Sequence, residues 1–242
     1  MQQLLNEVMY KKRRCSLGKF KGIVFDLDGT LVNTEVDFRQ MKHEMIIELE
    51  SSGIPAGILT PEMTTVAITE YAKKIWAEKG LPLEDQNRIL AEITRIMDEV
   101  EMKAVDTLKV IEGASQTIRK LHDMGYKLAV LTRSNHIYAQ EAIKKMNVDG
   151  LFDVVLGRGD TSQPKPSPEA MIEATKSLKL NLKEVFMVGD HNIDSTCAWD
   201  AGCIFIGVST GPRGDKSWEN KRPGVILKSV VDLPFWLEEN DP

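Results

Sequence analysis

Gly22-Ile23-Val24-Phe25-Asp26-Leu27-Asp28-Gly29-Thr30 is the stretch on which the reading of this chain turns. Its first four residues form a short apolar run, rich in β-branched and aromatic side chains, which predicts a buried strand. Two carboxylates, one residue apart, therefore stand at the C-terminal end of a strand, just before a glycine turn. Burying two like charges there costs several kcal/mol unless a cation is bound beside them. Stability alone gives no reason for such a pair; a divalent metal and a phosphorylated substrate do.

Outward from that strand, further apolar runs bounded by turn residues follow at Lys127–Leu131, Asp153–Leu156, Val185–Val188, Ile204–Val208 and Val225–Leu227. Helix-like stretches lie between most of them, at Gly113–Met124, His136–Met146, Ser167–Leu178 and Ile193–Ala201. Strands alternating with helices predict βαβ units and a parallel sheet. Right-handed crossovers then build an α/β, doubly wound, mostly parallel, Rossmann-like layer structure.

The rhythm breaks between Val36 and about Leu108, where three helical patterns stand without a strand. Their apolar faces are Phe38, Met41, Met45, Ile46 and Leu49; Met63, Val66, Ala67, Tyr71 and Ile75, after the helix-start pair Thr60-Pro61; and Ile89, Leu90, Ile93, Ile96, Met97 and Val100. Each has the i, i+3, i+4, i+7 spacing of one helix face. The expected organisation is an N-terminal extension at residues 1–18, an α/β core at 19–33 and 110–242, and an inserted helical cap at 34–109. The methionines of the insert and the four tryptophans, Trp76, Trp199, Trp218 and Trp236, read as packing residues.

Composition bounds the function. Of 242 residues, 42% are hydrophobic and 28% charged, as in ordinary globular proteins, and the net charge of −5 argues against nucleic acid as the main partner. Cys15, Cys197 and Cys203 give an odd count with no CxxC, so neither a disulfide framework nor a zinc site is expected, and a reducing cytoplasm is the expected compartment. The basic cluster Lys11-Lys12-Arg13-Arg14 lacks the apolar segment of a secretory signal, and no apolar run is long enough to span a membrane.

In an open α/β sheet, ligands bind beyond the carboxyl ends of the strands. The first strand ends in Asp26, Asp28 and Thr30; the run to Leu131 is followed by Thr132-Arg133-Ser134-Asn135; Val185–Val188 leads to Gly189-Asp190 and then Asp194. Gln163-Pro164-Lys165-Pro166 lies in a loop between them. This set resembles the haloacid dehalogenase superfamily, in particular its phosphoglycolate-phosphatase-like branch with a helical cap after the first motif. Asp26-Leu27-Asp28-Gly29-Thr30, Thr132, Lys165 and Gly189-Asp190-His191-Asn192-Ile193-Asp194 match its four motifs in order, and Gly207-Val208-Ser209-Thr210-Gly211 fits the same branch. The resemblance covers about Phe20 to Leu237.

The resemblance implies a Mg²⁺-dependent phosphatase acting on a small phosphorylated metabolite. Asp26 is the candidate nucleophile, forming an aspartyl-phosphate, and a carboxylate is already ionised at neutral pH. Asp26, the backbone carbonyl of Asp28, and Asp190 are implied as metal ligands, with Asp194 completing the shell through water or orienting Lys165. Lys165 would neutralise Asp26 and the phosphoryl group. Gly29, Thr132, Arg133 and Lys165 are the implied phosphate-binding residues. The Asp28 side chain would serve as general acid and then general base. His191 reads as a solvent-facing or supporting residue.

Bland readings exist for each residue alone: Thr132 as a helix cap, Asp194 as a first-turn acid, Lys165 as a rigid-loop residue. Among related chemistries, a dehalogenase attacks carbon, needs no metal and lacks the acid at the position of Asp28. A sugar-phosphate mutase shares both aspartates, but the segment after Thr30 lacks the pattern of its cap. A phosphonate hydrolase needs a Schiff-base lysine in the cap, and none of Lys42, Lys73 and Lys74 stands out. A binding protein that lost turnover would have no need of Lys165 or Asp190. Cap movement is expected about Leu31–Thr34 and Thr107–Gly113. Arg39, His43 and the Gly53–Pro61 loop are the expected specificity features.

Overall fold

The structure is a computed structural model that describes residues 19–218 and 223–241. The expected extension at 1–18, with Cys15 and the basic cluster, lies outside the described residues.

Strands β1 (Gly22–Phe25), β4 (Lys127–Leu131), β5 (Val154–Leu156), β6 (Val185–Gly189), β7 (Ile204–Val208) and β8 (Val225–Leu227) form one sheet. Their order is β5-β4-β1-β6-β7-β8, and every pairing is parallel. The chain runs from β1 outward to β4 and β5, then returns through β6 to the opposite side. The order therefore reverses beside β1, where an α/β sheet opens its ligand crevice. β1 is buried along its whole length, as a central parallel strand covered on both faces must be. Phe25 pairs with Val130 on one side and Val188 on the other, and the ladder runs one residue further, Asp26 N–H donating to Val188 O at 2.9 Å. Asp26 is thus held by the sheet itself.

Helices α4 (Ala114–Asp123), α5 (His136–Lys145), α6 (Pro168–Ser177) and α7 (Asn192–Asp200) alternate with the strands, and α8 (Leu233–Asn240) closes the chain. The core between sheet and helices includes Val24, Ala129, Leu131, Met171, Ala174, Met187, Cys197 and Phe205. The tryptophans pack as expected: Trp236 sits edge-on to Phe186, and Trp199 and Trp218 flank Phe205 with centroids 5.9 and 5.7 Å away. Cys197 and Cys203 are both free and buried.

A two-stranded antiparallel ribbon, β2 (Val32–Asn33) with β3 (Lys109–Val110), was not expected. Two residues per strand are too few to display a period-2 pattern. The ribbon ties together the points where the chain leaves and re-enters the α/β unit.

By its internal contacts the chain divides into two compact units. One joins the segment up to Thr34 with that from Leu108 onward; the other is Glu35–Thr107. The second unit holds α1 (Phe38–Ser51), α2 (Thr65–Lys79) and α3 (Leu83–Ala104). α1 is capped by Asp37, whose side chain accepts from Arg39 N and Gln40 N, and it buries Met41, Met45, Ile46 and Leu49. α3 answers with Ile89, Ile93 and Met97. One expected boundary is corrected. Thr60-Pro61 does not start α2; Met63 N–H closes a turn onto Thr60 O, and Thr64 is the cap, accepting from Ala67 N. Met63 therefore precedes the helix, and the face that α2 buries is Ile68, Ala72 and Trp76, one residue on from the expected Ala67, Tyr71 and Ile75. The helix α2 ends on Gly80 at φ 69°, a left-handed cap that glycine adopts without cost.

Candidate active site

The catalytic, phosphate-binding and metal residues expected from the sequence belong to the α/β unit, most of them at or just after strand ends. Asp26 follows β1, Thr132 follows β4, and Asp190 follows β6. Lys165 enters from the loop before α6, and Asp194 from the first turn of α7. Asp26, Thr132, Lys165, Asp190 and Asp194 are each buried.

Lys165 is the hub. Its Nζ donates to Asp26 Oδ1 at 2.6 Å and to Asp194 Oδ1 at 2.7 Å. Burial alone would push the ammonium toward neutrality; the carboxylates of Asp194 and Asp26 outweigh that and raise its pKa. Burial raises the Asp26 pKa, and the charge of Asp194 adds to this, against the lowering by Lys165. For Asp190 burial again leads, followed by the charges of Asp26 and Asp194. Two glycines make room for the Asp190 carboxylate. Gly29 has φ 82°, and a Cβ there would fall 2.6 Å from Asp190 Oδ2; a Cβ on Gly211, in the loop after β7, would fall 1.7 Å from the same oxygen.

The charge balance of this group is incomplete. One oxygen from each of Asp26, Asp190 and Asp194 lies within 4.8 Å of the others. One ammonium contacts two of these carboxylates, and the hydrogen bond recorded for the third, from Thr30 Oγ1 to Asp190 Oδ1, is long at 3.5 Å. Three buried carboxylates around one lysine form a hard, anionic oxygen set, the donor type that Mg²⁺ takes. The residues present fit such an ion.

The other side of the site is built by the β4–α5 turn. Thr132 Oγ1 accepts from Ser134 N at 3.1 Å. Asn135, not Thr132, caps α5, accepting from Ile137 N and Tyr138 N. Ser134 Oγ donates to Asp28 Oδ2, and the Tyr138 hydroxyl donates to Asp28 Oδ1, both at 2.7 Å. Burial and the charge of Asp26 push the Asp28 pKa up to about 6, while the two hydroxyls pull against them. Arg133 is half-buried in the same turn, and its carbonyl accepts from Arg158 Nη1.

His191 is the N-cap of α7. Its N–H donates to Asp194 Oδ2 at 3.2 Å, and its ring Nδ1 accepts from Ile193 N. Asp194 is thus both the first-turn acid of α7 and a partner of Lys165. Thr210 Oγ1 reaches back from the β7 loop to Gly29 O at 2.6 Å. Sequence reasoning singled out neither Ser134 nor Tyr138. Tyr138 has the spacing of a core residue on α5, and only its hydroxyl marks it as more. In the helical unit, Arg39 and His43 are exposed on α1, with Arg39 4.0 Å from Glu62.

A family model described as haloacid dehalogenase-like hydrolase matches residues 23–208. The chain is 28% identical over 218 residues to pyrophosphatase PpaX of Halalkalibacterium halodurans, covering 87% of this chain and 94% of that protein. It is 27% identical over 235 residues to phosphoglycolate phosphatase of Salmonella typhimurium, covering 90% and 92%. Among solved structures, a hydrolase from Pseudomonas syringae aligns with a TM-score of 0.63 at 19% identity, over 92% of this chain and 100% of that one. A predicted phosphoglycolate phosphatase from Haemophilus somnus aligns at 0.61 and 21% identity, over 91% and 99%. These two likenesses concern the fold. Among the described residues no helix is long and apolar enough to cross a membrane.

Proposed function

The chain belongs to the haloacid dehalogenase-like hydrolase family, and on that footing we propose that it is a Mg²⁺-dependent phosphatase of small phosphorylated metabolites. Among the candidate substrates, a phosphoglycolate type is the one in line with the names of its relatives, which also include pyrophosphatases; a sugar phosphate rests on the sequence resemblance alone. The single observation that carries the proposal is the Asp26–Lys165–Asp194 arrangement with Asp190 beside it. It pairs a nucleophilic carboxylate with one fixed cation and leaves room in charge for another.

In this reading Asp26 attacks phosphorus, the bond from phosphorus to the leaving oxygen breaks, and that oxygen takes a proton from Asp28. Water then attacks the aspartyl-phosphate and gives its proton to Asp28 as Asp26 is released. Lys165 holds Asp26 ionised and offsets the charge gathering on the phosphoryl group. Thr132 and the Gly29 and Arg133 turns bind phosphate oxygens. Asp26, the carbonyl of Asp28, and Asp190 would hold the metal, with Asp194 bracing Lys165. When bound, Mg²⁺ supplies positive charge that lets an anionic nucleophile approach an anionic phosphate. The two buried thiols, free and unpaired with each other, suit a reducing compartment such as the cytoplasm.

The test is phosphate release from p-nitrophenyl phosphate, phosphoglycolate and pyrophosphate, with Mg²⁺ and with EDTA. Metal-dependent turnover is expected, and Asp26→Asn should lower kcat by about 10³-fold or more without unfolding the chain. A folded protein with no metal-dependent turnover of any of the three overturns the proposal, and an active Asp26→Asn variant overturns the assignment of the nucleophile.

A further inference from the structure

Asp28 is held unlike the other carboxylates of the site. Its neighbours Asp26 and Asp194 contact an ammonium; both of its own oxygens are met by neutral hydroxyls, Ser134 on Oδ2 and Tyr138 on Oδ1. Tyr138 is fully buried and Ser134 is 5% exposed, so neither hydroxyl is a casual surface contact. The turn that carries them is fixed at each step. Thr132 Oγ1 receives Ser134 N, Asn135 Oδ1 receives Ile137 N and Tyr138 N, and Ser134 O receives Arg158 N at 2.8 Å. One strand-to-helix turn thus aims two hydroxyls at one side chain 106 and 110 residues away in sequence.

The chemical type of these partners matters. An ammonium or a backbone N–H can only donate, so it favours the carboxylate form. A hydroxyl donates to a carboxylate and, by rotating, accepts from a carboxylic acid. Hydroxyl partners can therefore stay with a side chain that gives a proton in one step and takes one in the next, without fixing it in one charge state. We propose that Ser134 and Tyr138 are positioning residues for Asp28, clamping its carboxyl group so that it delivers a proton to the leaving oxygen and recovers one from water. This rests on the reading of Asp28 as general acid and base. Neither residue touches the reacting atoms in this role; both act through Asp28. The clamp matters most for substrates whose leaving oxygen is basic and must be protonated as it departs, which describes the alcohol side of ordinary metabolite esters.

The experiment compares kcat/KM for phenyl, p-nitrophenyl and 2,4-dinitrophenyl phosphate in the Mg²⁺-loaded full chain. The ring is shared, and the basicity of the leaving oxygen falls along the series. kcat/KM reports steps up to the first irreversible one, so slow breakdown of the intermediate does not mask the effect. Tyr138→Phe keeps the buried ring and removes only the hydroxyl; Ser134→Ala does the same for the serine, and Ser134→Thr keeps a hydroxyl there. Each hydroxyl loss is expected to lower kcat/KM for phenyl phosphate by about 10-fold or more and for the dinitrophenyl ester by less than about 3-fold, steepening the dependence on the leaving group. Ser134→Thr should restore the shallow wild-type dependence. Equal losses on all three esters, or no loss, in a folded variant overturn the inference while the phosphatase reading stands. If Tyr138→Phe does not fold, Ser134→Ala against Ser134→Thr decides. A wild-type protein that turns over none of the three esters with Mg²⁺ overturns both.

Discussion

The two flanks of the site hold their carboxylates in opposite ways. On the flank formed by the loops before α6 and after β6, Asp26 and Asp194 close onto the Lys165 ammonium, and Asp190 stands beside them with two glycines cleared around it. On the flank formed by the β4–α5 turn, the Asp28 carboxylate accepts from two neutral hydroxyls. The first flank gathers charge and is short of cations; the second holds its one carboxylate by hydrogen bonds from neutral groups. The first therefore depends on an ion from outside, and the second on the rigidity of one turn. Removing a partner should have different consequences on the two sides, and that difference can be measured.

The largest expected effect comes from taking away the hub. Lys165→Met leaves Asp26 and Asp194 buried without the cation they share. Breaking a buried pair from one side costs about 3–5 kcal/mol, and loss of charge stabilisation at the phosphoryl group lowers kcat by about 10²–10³-fold. On the other flank, Tyr138→Phe removes one hydrogen bond from a neutral donor to a carboxylate, worth about 1.5–3 kcal/mol. Urea melts of both variants in EDTA test the contrast directly. If Lys165→Met is no less stable than Tyr138→Phe, the charged flank is not held together by its lysine.

Removing the metal should expose the same imbalance through pH. The folded-state pKa values of Asp26, Asp28 and Asp190 are raised, with burial as the leading cause in each. Between the ordinary carboxylate range and those raised values the folded chain binds more protons than the unfolded one. Stability from these groups is thus greatest at low pH and declines as pH rises through the raised values. Mg²⁺ binds the deprotonated form, so its stabilisation grows in the same direction. At a Mg²⁺ concentration about 100 times Kd the gain is about 2.7 kcal/mol, or about 5–10 °C in Tm for a chain of this size. The shift in Tm between Mg²⁺ and EDTA should be larger at pH 8 than at pH 5.5. A constant shift across that range would mean that these carboxylates do not release protons to the ion.

What the sequence made legible follows the same division. The six sheet strands could be read because each is an apolar run with Gly, Asp, Ser or Thr within two residues of one end, and the charged flank because its carboxylates and lysine stand at the ends of those runs or in the loops and turns that follow them, where burial without a partner is costly. β2 and β3 could not be read, since two residues each carry no periodicity. The start of α2 was misplaced because Thr60-Pro61 and Thr64 are both plausible caps, and only the folded chain shows which hydroxyl reaches an N–H three residues on. Ser134 and Tyr138 were hidden for a deeper reason. A serine ahead of a helix and a tyrosine on its apolar face are ordinary, and their meaning lies in a contact with Asp28 more than a hundred residues distant. Gly211 belongs with them: its role is the absence of a side chain next to Asp190.

That absence supports the subtlest of these tests. Gly211 carries no positive-φ requirement, so Gly211→Ala is not a backbone-strain experiment; the added Cβ meets Asp190 Oδ2 at 1.7 Å and Asp190 Cγ at 2.5 Å. Something must move, and the movable atoms are those of the Asp190 carboxylate. Asp26, Asp194 and Lys165 keep their contacts, so the fold and the lysine hub should survive while one proposed metal ligand is displaced. The expected result is a loss of about 10–100-fold in Mg²⁺ affinity with little change in the melting of the metal-free protein. Gly224→Ala is the matched control, because a Cβ there meets nothing within 4 Å among the described residues. Calorimetric titration of Mg²⁺ into both variants reads the difference. Unchanged affinity in Gly211→Ala would detach Asp190 from the metal and leave the charged flank as a structural ion-pair cluster; a selective loss would show that the glycine on β7's loop is as much a part of the metal site as the carboxylates are.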